Sequence, residues 1–192
     1  MTATIDETRS LTEDKTWLSR YYFTRAAFSL VWVGAAFSVA DSKTAVVAAL
    51  LLIYPAWDAV ANTVDAQRNG GFRRNPTQVF NAVVSLMTTL AVGVALTQSM
   101  NAVLAVFGVW AAFSGLLQLA TGVRRWKSFG GQWPMILSGI QSTAAGVMFL
   151  VEANAPALPQ ISAIAPYAAF GAFYFLISAI WLTVSEARRR RA

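Results

Sequence analysis

Residues 51–71, "LLIYPAWDAVANTVDAQRNGG", open like the middle of a lipid-spanning helix and then place Asp58, Asn62 and Asp65 along one side. Steps of three and four residues return side chains to the same helix face, so this is an apolar helix with an acid inside it and a Gly pair at its end. The rest of the chain agrees with that reading. Of its 192 residues, 56% are apolar and only 12% charged, against roughly a quarter charged in soluble globular domains. Most of this surface is made for hydrocarbon, not water. Cysteine and histidine are both absent, which removes disulfides, thiolate nucleophiles, imidazole bases and His- or Cys-ligated haem, copper, zinc and iron–sulfur centres. No cofactor and no metal site is expected. The formal charge of +6 sits in short Arg clusters beside apolar runs, which points to membrane topology and not to nucleic acid.

Apolar runs of about twenty residues, enough to cross a hydrocarbon core roughly 30 Å thick, occur at Tyr21 to Ala40, Thr44 to Ala66, Thr77 to Gln98, Asn101 to Gly122, Pro134 to Glu152 and Ile164 to Glu186. The connections between them alternate in charge. "DSK" and "TQSMN" are nearly neutral and "EANAPALPQISAIAP" carries one acid, whereas "DAQRNGGFRRNP", "GVRRWKSFGGQWP" and the tail "EARRRRA" are basic. The positive-inside rule then places both termini and the two basic connections in the cytoplasm. Three regions are expected: a polar cytoplasmic segment 1–20, a six-helix transmembrane domain 21–186 and a basic tail 187–192. The leader is polar and acidic, so no cleaved secretory signal is expected. Ser10 and Glu13 have capping-box spacing, consistent with a short interfacial helix or a frayed tail before the first span. Leu158, Ile161 and Ile164, interleaved with Pro156, Pro159 and Pro166, should lie on the outer interface. Trp17, Trp126, Trp133, Tyr21 and Tyr22 fall where an aromatic belt belongs.

The spans repeat. Tyr54, Asp58, Asn62 and Asp65 in the second correspond to Trp110, Ser114, Gln118 and Thr121 in the fourth and to Tyr174, Ser178, Leu182 and Ser185 in the sixth. Among odd-numbered spans, Ser85, Thr89 and Gly93 correspond to Ser138, Ser142 and Gly146, with Ala26, Leu30 and Gly34 a weaker copy. Small residues four apart let helix backbones approach closely in lipid, and Gly108, Ala112 and Ala111, Gly115 form further ridges of that kind, serving internal packing or a homo-oligomer. The repeat unit is a helical hairpin of two spans, so successive copies enter the membrane in the same direction. The fold class is therefore all-α: a polytopic membrane protein with six transmembrane helices arranged as three parallel helical-hairpin repeats. Hairpins such as "VVSLMTTLAVGVAL", "FGVWAAFSGLLQLATGVRRW" and "WPMILSGIQSTAAGVMFL" resemble the HdeD-like bacterial inner-membrane proteins, built from the short repeat of domain-of-unknown-function family 308. That resemblance implies a bacterial inner (cytoplasmic) membrane protein linked to acid stress, and it brings no catalytic motif.

Asp58 lies about eight residues from the cytoplasmic end of its span, roughly 12 Å deep, and an unpaired acid near mid-span costs about 2.5–3.5 kcal/mol on insertion scales. Arg25 enters the first span to a similar depth, so an ion pair between Arg25 and Asp58 is the simplest resolution. The alternative is a polar crevice or proton path through Asp58, Asn62, Gln118 and Gln141. Pro55 should kink the second span near Tyr54. No Ser/Lys or paired-acid motif sets a nucleophile beside a base. The expected function is thus non-enzymatic, acting in stress tolerance through the lipid bilayer or a membrane-protein partner; the competing expectation is a channel or transporter for a proton or small neutral solute. The basic tail should attract anionic lipid headgroups.

Overall fold

The computed structural model describes residues 2–39, 44–125 and 133–189. It contains α1 (Thr2–Ser38), α2 (Thr44–Arg68), α3 (Pro76–Ala95), α4 (Met100–Arg125), α5 (Trp133–Ala153), a 3-10 turn at Ile161–Ala163 and α6 (Ala165–Arg189). Among the described residues there is no strand. Among the described residues five segments are long and apolar enough to cross a membrane: Ala45–Arg68, Pro76–Ala95, Met100–Ala120, Ile136–Ala153 and Ile161–Arg188. The expected first span is not among them, because Arg25, Tyr21, Tyr22 and Thr24 dilute its apolar run.

The helix α3 shows which solvent these faces are made for. Its buried side carries Ser85, Thr88, Val92 and Ala95, while Val83, Leu86, Met87, Leu90 and Val94 are exposed. Ser85 is 1% exposed and Met87 60%. Polar groups inward and large apolar groups outward is the reverse of a helix stabilised in water, and it is the arrangement hydrocarbon favours.

The chain forms two compact units, Met1–Val33 with Ala168–Ala192, and Gly34–Tyr167. In the first, Ser19 on α1 reaches α6. Its hydroxyl donates to Ala179 O at 3.3 Å, and its Oγ lies 2.8 Å from Thr183 Oγ1. The helix α1 is continuous from Thr2, with no Gly or Pro before Gly34 to stop it. Ser10 is therefore inside a helix and not at its start, and the boundary expected near residue 20 does not interrupt the backbone.

In the second unit α4 packs most extensively on α5, then α2 on α3, with less between α3 and α4. The two strongly packed pairs are those joined by the basic connections. The α2–α3 connection is well built. Gly70 and Gly71 both take positive φ, 96° and 88°, and Gly71 N donates to Ala66 O at 3.0 Å, the six-to-one bond that closes a helix through a left-handed residue. The Asn75 amide donates to Gly71 O, Asn69 O and Ala66 O at 2.8–3.2 Å, tying the start of α3 to the end of α2. Pro76 then opens α3, where its missing N–H has no partner to lose.

At the other end, the Asn101 amide donates to Ala153 O and Ala155 O at 3.1 and 3.2 Å, capping α5 from α4. The Pro-rich segment that follows departs from the expectation that it would lie flat on the interface. Ile161 and Ile164 are each 1% exposed, and only Leu158 points fully outward. The 3-10 turn at Ile161–Ala163 rotates both isoleucines inward. The Trp126 site, residues 126–132 of the second basic connection and residues 190–192 of the tail lie outside the described residues.

Candidate functional site

Asp58 sits on the α2 face that meets α3. Ser85 donates its hydroxyl to Asp58 Oδ2 at 2.7 Å, and Asn62, one turn along α2, donates its amide to the same oxygen at 3.0 Å and to Asp58 O at 2.9 Å. Asn62 and Ser85 are buried and Asp58 is half-buried. Hydrogen bonds to a charged acceptor are about twice as strong as neutral ones, so these two donors suit a carboxylate. The sequence pairs Asp58 with Asn62 by their spacing; it says nothing of Ser85 as the bridge, because that contact depends on the crossing of two helices. Pro55 lies within α2 and is fully buried one turn before Asp58.

Gln118 on α4 accepts from Ser138 of α5 at 3.4 Å, so it belongs to the α4–α5 seam. Gln141 is half-buried on α5. Arg25 belongs to the other compact unit. There its guanidinium lies 4.2 Å from the Phe175 ring centre and 5.8 Å from that of Tyr21, and Nη1 donates to the Tyr21 hydroxyl at 3.1 Å. Aromatic faces and a hydroxyl thus shelter its charge, a favourable setting for a weakly hydrated cation.

Small residues dominate the α4–α5 seam. A Cβ placed on Gly115 would lie 2.5 Å from Thr143 N, one on Gly108 would lie 3.0 Å from Gly146 O, and one on Gly146 would fall onto the backbone of Ala112. Gly139 meets Gly115 O in the same way. The residues Gly108, Ala112, Gly115 and Gly146 are therefore placed where only a missing or minimal side chain lets the backbones meet. Ser142, the register mate of Thr89, donates across the seam to Ala111 O at 2.9 Å. Its Oγ is also 3.2 Å from the Tyr167 hydroxyl; since Ser142 has given its proton to Ala111, Tyr167 is the donor. Thr89 itself donates back to Ser85 O on its own helix.

Next to that seam is an aromatic cluster the sequence did not reveal. Trp110 makes edge contacts with Tyr54, Phe107 and Tyr167, at centroid separations of 5.8–6.3 Å, and Tyr167 meets Phe149 at 6.0 Å. Trp110 and Phe149 are buried and Phe107 is fully buried. Such edge-to-face pairs contribute beyond simple burial. Tyr54 and Trp110, the aromatics that lead the repeated stripe, touch each other here. The signal for Tyr167 was hidden because it precedes the apolar core of its own helix and its partners lie on α4 and α5.

Among the described residues no cluster of three or more Asp or Glu suited to a metal ion occurs. Residues 80–151, from within α3 to near the end of α5, match the model of a family described as a short repeat of unknown function (DUF308). No curated protein matches the chain, and no solved structure matches it.

Proposed function

We propose that this chain is a non-enzymatic integral protein of the bacterial inner membrane, with six spans, both termini in the cytoplasm and a role in acid-stress tolerance exerted through lipid or a membrane-protein partner. The observation that carries this reading is the engagement of polar groups inside the spans. The Asp58 carboxylate is held by Ser85 and Asn62, and the hydroxyls of Thr63, Thr88, Thr89 and Thr143 donate to carbonyls one turn back on their own helices. Nucleophilic catalysis needs a hydroxyl beside a base, and hydroxyls held this way serve the helix backbone instead. The match to a short repeat of unknown function, together with five apolar helices, supports the membrane assignment; the HdeD-like resemblance of the hairpins supports the link to acid stress. Sheltering of Arg25 by Phe175 and Tyr21 is consistent with α1 as the sixth span.

Three parallel hairpins remain the best account of the sequence correspondences. Gly93 faces Leu52 as Gly146 faces Gly108, in the same register. Ser85 reaches Asp58 of α2, while Ser138 reaches Gln118 of α4, the counterpart of Asn62 one turn further along. Because the Gly108, Ala112, Gly115 ridge faces α5, a homo-oligomer would use another surface.

A second reading, conduction of a proton or small neutral solute, draws on one observation: an intramembrane carboxylate with hydrogen-bonding neighbours is the usual mark of such a path. Flux of protons and small solutes into liposomes, measured for the wild type and Asp58→Asn at neutral and acidic pH, separates the two. No flux from folded, inserted protein is the expected result. Flux that depends on Asp58 would replace the first reading with the second.

A further inference from the structure

We propose that the α2–α3 connection is a built site for the phosphate of one anionic phospholipid, with Phe72 as its apolar anchor and Arg73 and Arg74 as its cations. This rests on reading α2 and α3 as spans, which puts the connection at the bilayer boundary. Four carbonyls of the connection, those of Ala66, Asn69, Gly71 and Phe72, accept from within it. The guanidinium groups of Arg73 and Arg74, both exposed, donate to no other described residue. Two such cationic donors on a loop whose backbone is largely tied to itself favour an anion.

Asp65, the nearest acid in the sequence, is engaged by the loop itself, its Oδ1 accepting from Asn69 at 2.6 Å. The loop is held in one shape by the Asn75 amide and two positive-φ glycines, and the Arg74 stem folds over Gly70, where an added Cβ would meet its Cδ at 3.1 Å. Topology needs only the charge of such a loop, not a fixed conformation. Phe72 decides in favour of lipid over a soluble anion or an acidic protein. It is 49% exposed beside two exposed arginines, an apolar ring at headgroup level that can enter the acyl boundary while the cations stay with phosphate.

The test is native mass spectrometry of the full chain released from bilayer discs containing phosphatidylcholine doped with phosphatidylglycerol. Wild type should retain phosphatidylglycerol selectively. The Arg73→Gln/Arg74→Gln variant should lose on the order of tenfold of that retention, whereas Arg20→Gln at an exposed position of α1 should retain it. Asn75→Ala, which keeps every charge but frees the loop, should also lose selectivity; full retention there would reduce the site to diffuse charge and overturn the proposal. Equal retention by the double variant overturns it too. So does displacement by excess inorganic phosphate with no preference for the lipid, or tighter binding of polyglutamate than of phosphatidylglycerol. Failure of the wild type to enter discs at all breaks the span reading beneath it, an outcome distinct from entry without lipid selectivity.

Discussion

Gly93 and Gly146 hold the same place in the repeat, yet a Cβ on Gly93 would meet only Leu52 Cδ2 at 3.8 Å, while one on Gly146 would collide with the α4 backbone. The α2–α3 and α4–α5 pairs thus solve one problem, adhesion of helices in lipid, in two ways. Without a hydrophobic driving force between helices, close van der Waals packing and interhelical hydrogen bonds must do the work. The α4–α5 pair relies on backbone approach, with Ser142 bonding a main-chain carbonyl. The α2–α3 pair keeps Leu52 where α4 has Gly108, stands further apart there, and joins through Ser85 and the Asp58 carboxylate. Removal of a side chain makes one seam; addition of a charge makes the other.

The comparison is broken most directly by Gly146→Leu. Overpacking typically costs about 1–3 kcal/mol, and a clash against backbone belongs at the top of that range or beyond, so loss of folded protein on thermal or denaturant unfolding in detergent is expected. A normally folded variant would mean that the α4–α5 backbones do not meet. Next in size is Asp58→Ala, which leaves Ser85 without its acceptor while Asn62 keeps the main-chain carbonyl of position 58; an unsatisfied buried group costs about 1–3 kcal/mol. Asp58→Asn keeps an oxygen able to accept from Ser85 and should lie nearer wild type in the same assay. If the two variants unfold alike, the Ser85 bond contributes little.

Ser142→Ala should be milder. Interhelical hydrogen bonds in membranes average about 0.6 kcal/mol, so a small fall in unfolding midpoint is expected, and a double-mutant cycle with Tyr167→Phe should show coupling. Additivity of the two would rule out the Tyr167-to-Ser142-to-Ala111 chain. The smallest and most diagnostic change is Gly93→Ala. The site has room, and Ala exceeds Gly in helix preference by about 0.8–1.0 kcal/mol, so the variant should be neutral or slightly stabilised. Destabilisation equal to that of Gly146→Ala would erase the distinction between the seams.

Much of this was legible in order along the chain. The five apolar helices follow from run lengths, and the Gly pair with Asn75–Pro76 marks the turn between α2 and α3. The spacing of Asp58 and Asn62 marks a shared face, and the four-residue steps from Gly108 to Ala112 and from Ala111 to Gly115 mark a ridge. These are local properties: a helix of known rise and period converts sequence spacing directly into faces. The helix α1 runs on through the polar-to-apolar change near residue 20 because composition changes there while helix-forming tendency does not; no Gly or Pro interrupts the stretch. Ile161 and Ile164 were placed on the interface because alternating apolar residues among prolines do not say which side a 3-10 turn presents.

What the sequence determined by itself was solvent and period: hydrocarbon outside, helices of spanning length, polar residues gathered on stripes, and no imidazole or thiol chemistry. Only the tertiary structure decided partners. Whether a stripe meets a carboxylate, a carbonyl or an aromatic ring depends on which helices cross and how closely. So it was the packing that brought Ser85 to Asp58, Ser142 to Ala111 and Tyr167, and Asn101 to the end of α5. Those contacts join residues 25 to 54 positions apart, a separation over which helical periodicity carries no information.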